Sequence, residues 1–471
     1  MLIALMVTTG LVAIDSTILA TAVPTIVGEL GGFAQFPLLF SIYLLAQAVS
    51  VPVYAKLSDT LGRKPIILVG IGLFLLGSVL CGLAWSMPAL IVFRAVQGLG
   101  AGAVQPMAVT IAGDIYSVVE RAKVQGYIAS VWAVSAVVGP TLGGVFSEFL
   151  SWRAIFFVNV PLCLLAAVMI VRRLHESVRP QRHRIDFVGA ALLTVGMSAL
   201  ILGLLEGGQA WEWASWPGIG SFALAAVALT AFAVVQTRAA EPILPPAVLR
   251  RRLILTTTLT SLGVGAMMMG LTSYVPAYLE GALDVSPLVS GLALATLTLG
   301  WPTAATVSGR FYGRFGFRFT IMLGTVVALA GAVLLAATAQ HPSIAVVAVG
   351  CFVIGFGFGL VAAPGLISAQ SSVPWNERGV VTGTNLFARS IGSAVGVAVF
   401  GAVANGIIGA SSGGTTGDPD AAAVIAASAA VFLAIAITGV LLVVAGALVP
   451  RVSVRDVSPE VPDPDGPARA A

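Results

Sequence analysis

Apolar runs roughly 20 residues long follow one another along the whole chain, separated by short polar or charged breaks. Hydrophobic and polar positions do not alternate within the runs, so period-two strands are excluded and helices are predicted. Fourteen runs can be placed, near residues 2–24, 36–55, 65–85, 89–112, 124–147, 153–172, 187–205, 217–237, 253–276, 288–308, 319–339, 343–363, 380–404 and 423–449. At 1.5 Å per residue each is long enough to cross a hydrocarbon core of ~30 Å. Two longer breaks, 173–186 and Glu241–Arg252, flank the seventh and eighth runs, and the second reads as an amphipathic surface segment. Trp211, Trp213 and Trp216, between those two runs, read as an interfacial belt. Residues 405–421 form a Gly/Ser/Thr-rich break, and the tail beyond Pro450 has a disordered composition.

Composition turns these helices into membrane spans. The chain is 58% hydrophobic and 9% charged, with a mean hydropathy of +1.01. That is too little charge to coat a soluble protein of 471 residues. Lipid must solvate much of the surface, and only helices or closed barrels satisfy their backbone there. The first run carries an acid and leads into a second span with no cleavage-like site, so a removable signal peptide is not expected.

Charge orients the spans. All but three of the 24 Lys and Arg fall in breaks on one side; Arg153 falls on the other, while Arg94 and Arg389 stay within spans. The positive-inside rule makes the crowded side, and both termini, cytoplasmic. Lysine is scarce beside arginine, a weak mark of a GC-rich bacterial genome. The expected location is a bacterial inner (cytoplasmic) membrane.

Chemistry-bearing clusters are sparse. Cys81, Cys163 and Cys351 lie in apolar runs and read as packing residues, with no disulfide or metal spacing. His175, His183 and His341 lie in breaks, away from any acid pair, so an enzyme is not expected. The absence of Gly-x-x-x-x-Gly-Lys-Ser/Thr argues against ATP drive. No cofactor, metal or nucleic-acid partner is expected.

Between the second and third runs lies Ala55-Lys56-Leu57-Ser58-Asp59-Thr60-Leu61-Gly62-Arg63-Lys64, read as a short charged loop. A weaker copy, Gly309-Arg310-Phe311-Tyr312-Gly313-Arg314-Phe315-Gly316-Phe317-Arg318, separates the tenth and eleventh. A basic hairpin that occurs twice indicates two similar halves. The first copy resembles the loop signature of the major facilitator superfamily, departing at Ala55 and Thr60; the second has Gly313 in place of the acid. Gly62 permits the reversal, and Asp59 can meet a helix N-terminus. The resemblance implies that Arg63 meets Asp114 and latches the cytoplasmic side; otherwise Arg63 and Lys64 serve topology alone.

Asp15, the only acid in the middle of a span, is costly there unless protonated, paired or hydrated. Its surroundings, with Thr17 and Pro24, resemble the first-helix signature of the 14-span drug–proton antiporters, with Ala20 where Asn is usual. Arg94-Ala95-Val96-Gln97-Gly98 resembles the family's proton-relay signature, with Asp15 as the expected neighbour; snorkelling of Arg94 is the plainer alternative. Gly139, Pro140, Gly143 and Gly144 resemble the antiporter signature, which otherwise is Gly-rich packing. Glu148 is a second proton-site candidate or a solvated interfacial acid. Asn159-Val160-Pro161 also matches the family.

The resemblance, over essentially the whole chain, implies an all-α integral membrane protein with a major facilitator fold. Two six-helix bundles, residues 1–172 and 253–449, would flank 173–252, which holds cytoplasmic links and two extra helices, with a disordered tail at 450–471. The implied activity is proton-coupled export of small amphipathic or lipophilic compounds by alternating access, by a monomer embedded in the bilayer. The alternative is a dedicated exporter of an endogenous lipid, antibiotic or metabolite. Cavity candidates are Tyr43, Gln47, Gln97, Gln105, Trp132, Tyr274, Asn385 and Arg389. Arg389 either pairs with Asp15 or meets an anionic substrate group. The charge-poor cavity favours lipophilic or weakly cationic substrates, and anionic ones only if Arg94 or Arg389 is free.

Overall fold

The computed structural model describes residues 1–31, 37–174, 176, 186–207, 211–239, 242–244, 246–411 and 421–452. Most of the break 173–186 and of the tail lies outside the described residues. Among the described residues, thirteen helices are long and apolar enough to cross a membrane. The first half comprises α1 (Leu2–Leu30), α2 (Pro37–Leu61), α3 (Arg63–Gly82), α4 (Met87–Ile115), α5 (Val118–Phe149), α6 (Ala154–Phe157) and α7 (Asn159–Arg173). Then come α8 (Phe187–Glu206), α9 (Trp216–Arg238) and the single turn α10 (Pro246–Leu249). The second half comprises α11 (Arg252–Leu283), α12 (Pro287–Thr338), α13 (Ile344–Ser371), α14 (Arg378–Ser411) and α15 (Ala421–Ala447). A 3₁₀ turn, Trp375–Glu377, precedes α14.

The basic hairpins are tighter than the sequence suggests. Residues 55–61 belong to α2 and Arg63 starts α3, so the expected loop is a one-residue reversal at Gly62 with φ 98°. In the second copy the reversal lies inside α12, where Gly316 has φ 82°. Glycine adopts this left-handed region without a Cβ clash. At the first turn the charged side chains of Asp59 and Arg63 find partners on neighbouring elements. Among the described residues of the expected amphipathic segment before α11, the helical turn is α10, whose Val248 is buried against Ile254 and Ala369.

Both halves use the same packing device. Gly98 and Gly102 of α4 approach α2, while Gly100 approaches α3. Gly355 and Gly359 of α13 approach the first arm of α12, while Gly357 approaches the second. Such spacing lets one helix pack closely on two neighbours. Arg94 lies one turn before Gly98; Cys351 holds the matching position before Gly355. The charge is confined to the first half.

The apolar cores differ accordingly. The first half has two clusters, one around Leu11, Phe74, Met107 and Cys163, the other around Ile18, Cys81, Leu90 and Phe156. The second half has one large cluster running from Leu253 to Tyr278 along α11 and across α12, α13, α14 and α15, beside the small one at Val248 and Ile254. The halves meet along two seams, α2 on α14 and α5 on α12. Helix α8 packs on both α2 and α14, with Leu193, Met197 and Ile201 buried beside Leu45, Val49 and Phe387.

Candidate functional site

A polar layer separates the two apolar clusters of the first half. Asp15 of α1 lies between Val12 and Ile18, and Ser78 of α3 between Phe74 and Cys81. Arg94 of α4 follows Leu90, and Asn159 of α7 lies between Phe156 and Cys163. Asp15 and Arg94 are each 1% exposed, and Gln97, Ser78 and Asn159 are fully buried. Arg94 Nη1 donates to Asp15 Oδ2 at 2.7 Å. Gln97 Nε2 and Asn159 Nδ2 both donate to Asp15 Oδ1, at 2.8 and 3.0 Å. Ser78 Oγ accepts from Gln97 Nε2 at 2.8 Å, and Gln97 Oε1 accepts from Arg94 Nη1 at 2.7 Å. The Arg94 guanidinium stacks 4.1 Å above the Tyr43 ring, and its Nε donates to Leu39 O at 3.3 Å. Tyr43 Oη and Asn159 Oδ1 have no hydrogen-bond partner among the described residues. Both charges are thus paired and hydrogen-bonded, which is how ions persist at membrane depth.

The layer is mechanically joined to α5. Thr17 and Thr21, on the turns after Asp15, face Gly139 and Gly143, where an added Cβ would collide with α1. Thr17 Oγ1 donates to Ser135 O at 2.9 Å. A Cβ on Gly144 would meet open space, so this glycine takes no part in the approach. The side chain of Pro140 lies outside the described residues.

The second constellation closes the basic end of the molecule. Arg63 lies against Asp59 (Nη1 to Oδ1, 2.5 Å) and donates Nε to Asp114 Oδ2 at 3.0 Å. Asp114 also holds Arg378 of the other half at 3.1 Å. Arg63 Nη2 donates to Trp375 O at 2.7 Å, and its guanidinium lies 4.1 Å from the Trp375 ring centroid. Asp59 accepts the N–H groups of Gly379 and Val380, at 2.9 and 2.8 Å, at the start of α14. An acid there is favoured by the unpaired amides and the helix dipole. Arg121 Nη1 donates to Ser371 Oγ at 2.7 Å, and Tyr312 Oη donates to Val118 O. Among the described residues, every hydrogen bond between the halves lies at this end. Lys64 takes another role: Nζ donates to Val171 O at 3.0 Å, within the first half.

The remaining candidates scatter. Tyr43 and Gln97 belong to the Asp15 layer rather than to a cavity wall, because the Arg94 guanidinium needs a ring face and an amide oxygen. Asn385 is a helix staple, accepting from Ser261 Oγ at 2.6 Å and donating to Thr257 O at 3.2 Å. Gln47 and Gln105 join α2 to α4 through a 2.8 Å bond. Trp132 packs on the first-half core, and Tyr274 on that of the second half. Glu148 is exposed near the end of α5. Arg389 does not reach Asp15, whose oxygens are occupied by Arg94, Gln97 and Asn159; its guanidinium lies 5.9 Å from the Trp301 ring centroid.

Sequence reasoning missed several partners. Ser78 and Asn159 are ordinary neutral residues, although the match at Asn159-Val160-Pro161 marked the second. Trp375 and Arg378 follow the long α13 and carry no motif. Glu176 binds the N–H groups of Arg63 and Lys64, both at 2.9 Å, and caps α3 from the following link; only its place in a basic stretch sets it apart.

Two helical halves with a buried ion pair and a polar lock across one end define a multi-pass membrane transporter. Comparison with known proteins gives the family. The model for the Major Facilitator Superfamily matches residues 5–397. The chain is 34% identical to the multidrug transporter protein MdtP of Bacillus subtilis over 394 residues, covering 83% of this chain and 73% of that protein. It is likewise 34% identical to multidrug resistance protein 3 of the same organism, over 83% of this chain and 76% of the relative. The MFS-type efflux pump LUC4 of a Fusarium species is 30% identical, over 86% and 73%. The crystal structure of the human organic anion transporter MFSD10 superposes with a TM-score of 0.64 at 17% identity, covering 94% of this chain and 99% of that one, which shows a shared fold. The chain belongs to the Major Facilitator Superfamily, a family of transporters rather than enzymes.

Proposed function

We propose that this chain is a proton-coupled antiporter that exports small amphipathic or lipophilic compounds across a bacterial cytoplasmic membrane. The observation that carries the reading is the buried Asp15–Arg94 pair, tied through α1 to the glycines of α5. Relatives named as a multidrug transporter protein, a multidrug resistance protein and an efflux pump support export of drug-like compounds. We count fourteen spans by taking the two arms of α12 separately, and place both termini and the basic end in the cytoplasm. The protein acts as a monomer.

The closed end then corresponds to an outward-facing state. A proton from outside neutralises Asp15 and releases Arg94. Tyr43 Oη and Asn159 Oδ1 offer hydrogen-bonding positions beside the carboxylate. Loosened α1 shifts against Gly139 and Gly143, the α2–α14 and α5–α12 seams open at the basic end, and the interior faces the cytoplasm. Proton loss there restores the pair and the state that accepts substrate. The membrane potential adds about 2.3 kcal/mol per charge per 100 mV.

The test is efflux of the neutral dye N-phenyl-1-naphthylamine by proteoliposomes under an imposed pH gradient, comparing the native chain with Asp15→Asn. Gradient-dependent transport that vanishes in the variant supports the reading. Transport that survives moves the proton site, to Glu148 first. A native chain that moves no dye favours a dedicated exporter of an endogenous compound.

A further inference from the structure

Among the described residues, Arg389 is a charge at membrane depth without a counter-ion. Among the described residues its guanidinium makes no hydrogen bond and no carboxylate lies within ion-pair reach, whereas the other deep arginine, Arg94, is fully engaged. Its carbonyl abuts Gly265, and Ser393 Oγ donates to Gly265 O at 3.1 Å, so α14 is fixed against α11 at this depth. Trp301 is fixed equally: its carbonyl abuts Gly359 and its ring lies edge-on to Phe358 at 5.9 Å.

Among the described residues, helices α12 and α14 share no extensive packing face. The Arg389 side chain therefore bridges the space between two rigid helix pairs, α11–α14 and α12–α13. Because α14 forms one seam with the first half and α12 the other, the face between them looks toward that half. Among the described residues the first half contributes no opposing charge there, since Asp15 is paired within its own core and Gln47 and Gln105 satisfy each other.

We infer that Arg389 and Trp301 form an anion-recognition element of the substrate cavity, taking flat aromatic compounds that carry a carboxylate or sulfonate. The guanidinium supplies charge-assisted hydrogen bonds to the anionic group, and the indole supplies a stacking face for the ring. This inference rests on the export reading for its physiological meaning, but not for its binding test. It takes up the anionic alternative that the sequence left open for a free Arg389, over lipophilic or weakly cationic substrates.

The experiment uses two probes with one skeleton, 8-anilinonaphthalene-1-sulfonate and its neutral parent N-phenyl-1-naphthylamine. Each is titrated by fluorescence against the purified full chain in detergent, with protein-free micelles subtracted. Arg389→Gln is expected to weaken sulfonate binding by roughly ten- to hundredfold, the worth of charged hydrogen bonds, and to leave the neutral probe within about twofold. Arg389→Lys should recover part of the loss, and Trp301→Leu should weaken both probes. Equal loss of both probes in Arg389→Gln, no change in either, or no sulfonate binding by the native chain overturns the inference. Gradient-driven efflux of the neutral dye is read in parallel. Its absence with sulfonate selectivity intact removes the multidrug reading alone, in favour of a dedicated exporter; its presence without selectivity removes this inference alone.

Discussion

Removing the charge of Asp15 leaves Arg94 buried and unpaired, and the size of that penalty follows from the geometry. The bonded atoms are 2.7 Å apart, both side chains are 1% exposed, and Gln97 and Asn159 hold the other carboxylate oxygen. Two charges about 4 Å apart attract by roughly 4 kcal/mol at an effective dielectric of about 20. Breaking one side of a buried pair costs about 3–5 kcal/mol, whereas neutralising both partners costs far less. Asp15→Asn and Arg94→Gln are each expected to lose about 3–5 kcal/mol of stability. Asp15→Asn/Arg94→Gln should fall short of their sum by about 3 kcal/mol or more. The assay is unfolding in dodecyl maltoside micelles with rising dodecyl sulfate fraction, run as a double-mutant cycle. Losses additive to within about 0.5 kcal/mol would refute the pair as an energetic unit.

Three further outcomes are expected. Gly126→Cys/Thr306→Cys should cross-link the α5–α12 seam on mild oxidation, because a Cβ on Gly126 would lie 3.0 Å from the Thr306 Cβ, so the seam has to widen by only about 0.5–1 Å to reach disulfide geometry, and the three native cysteines are buried. Dye efflux should stop and return with dithiothreitol; efflux unaffected by a formed cross-link would argue against seam opening. Gly139→Ala and Gly143→Ala should each cut efflux at least tenfold while Gly144→Ala leaves it unchanged, and equal effects at all three would show that close approach to α1 is not what matters. Arg153 and Trp152 hydrogen bonds hold the Glu29 carboxyl below its ordinary value of 4.5. A depressed acid stabilises above its unfolded pKa and loses that contribution as pH falls. The melting difference between native and Glu29→Gln should therefore be flat from about pH 8 to 6 and shrink as pH drops through the carboxylate range; growth of the difference on acidification would contradict it.

The apolar runs were enough to read the helices, because a membrane leaves the backbone few alternatives. Asp15 and Arg94 stood out since any charge within a span is costly. The repeated hairpin announced the two halves. What escaped the sequence depends on which neutral or distant residues the fold brings together. Nothing local distinguishes Ser78 from a packing serine, and Trp375 reaches Arg63 only because the halves close on each other. Gln97 was legible beside Arg94 in the Arg94–Gly98 signature, whereas nothing in the sequence tied Tyr43 to that guanidinium. Asn385, similarly, is consumed by α11.

Helix α8 touches both α2 and α14 and so roofs one of the two seams, while its partner α9 packs behind it. Among the described residues no comparable helix roofs the α5–α12 seam, and Val134 and Val137 of α5 are 60% and 58% exposed. The two sides of the molecule are therefore unequal toward lipid. One seam is shielded from the acyl chains by a further helix, while the other presents its own valines to them, so the bilayer presses on the two seams through different surfaces.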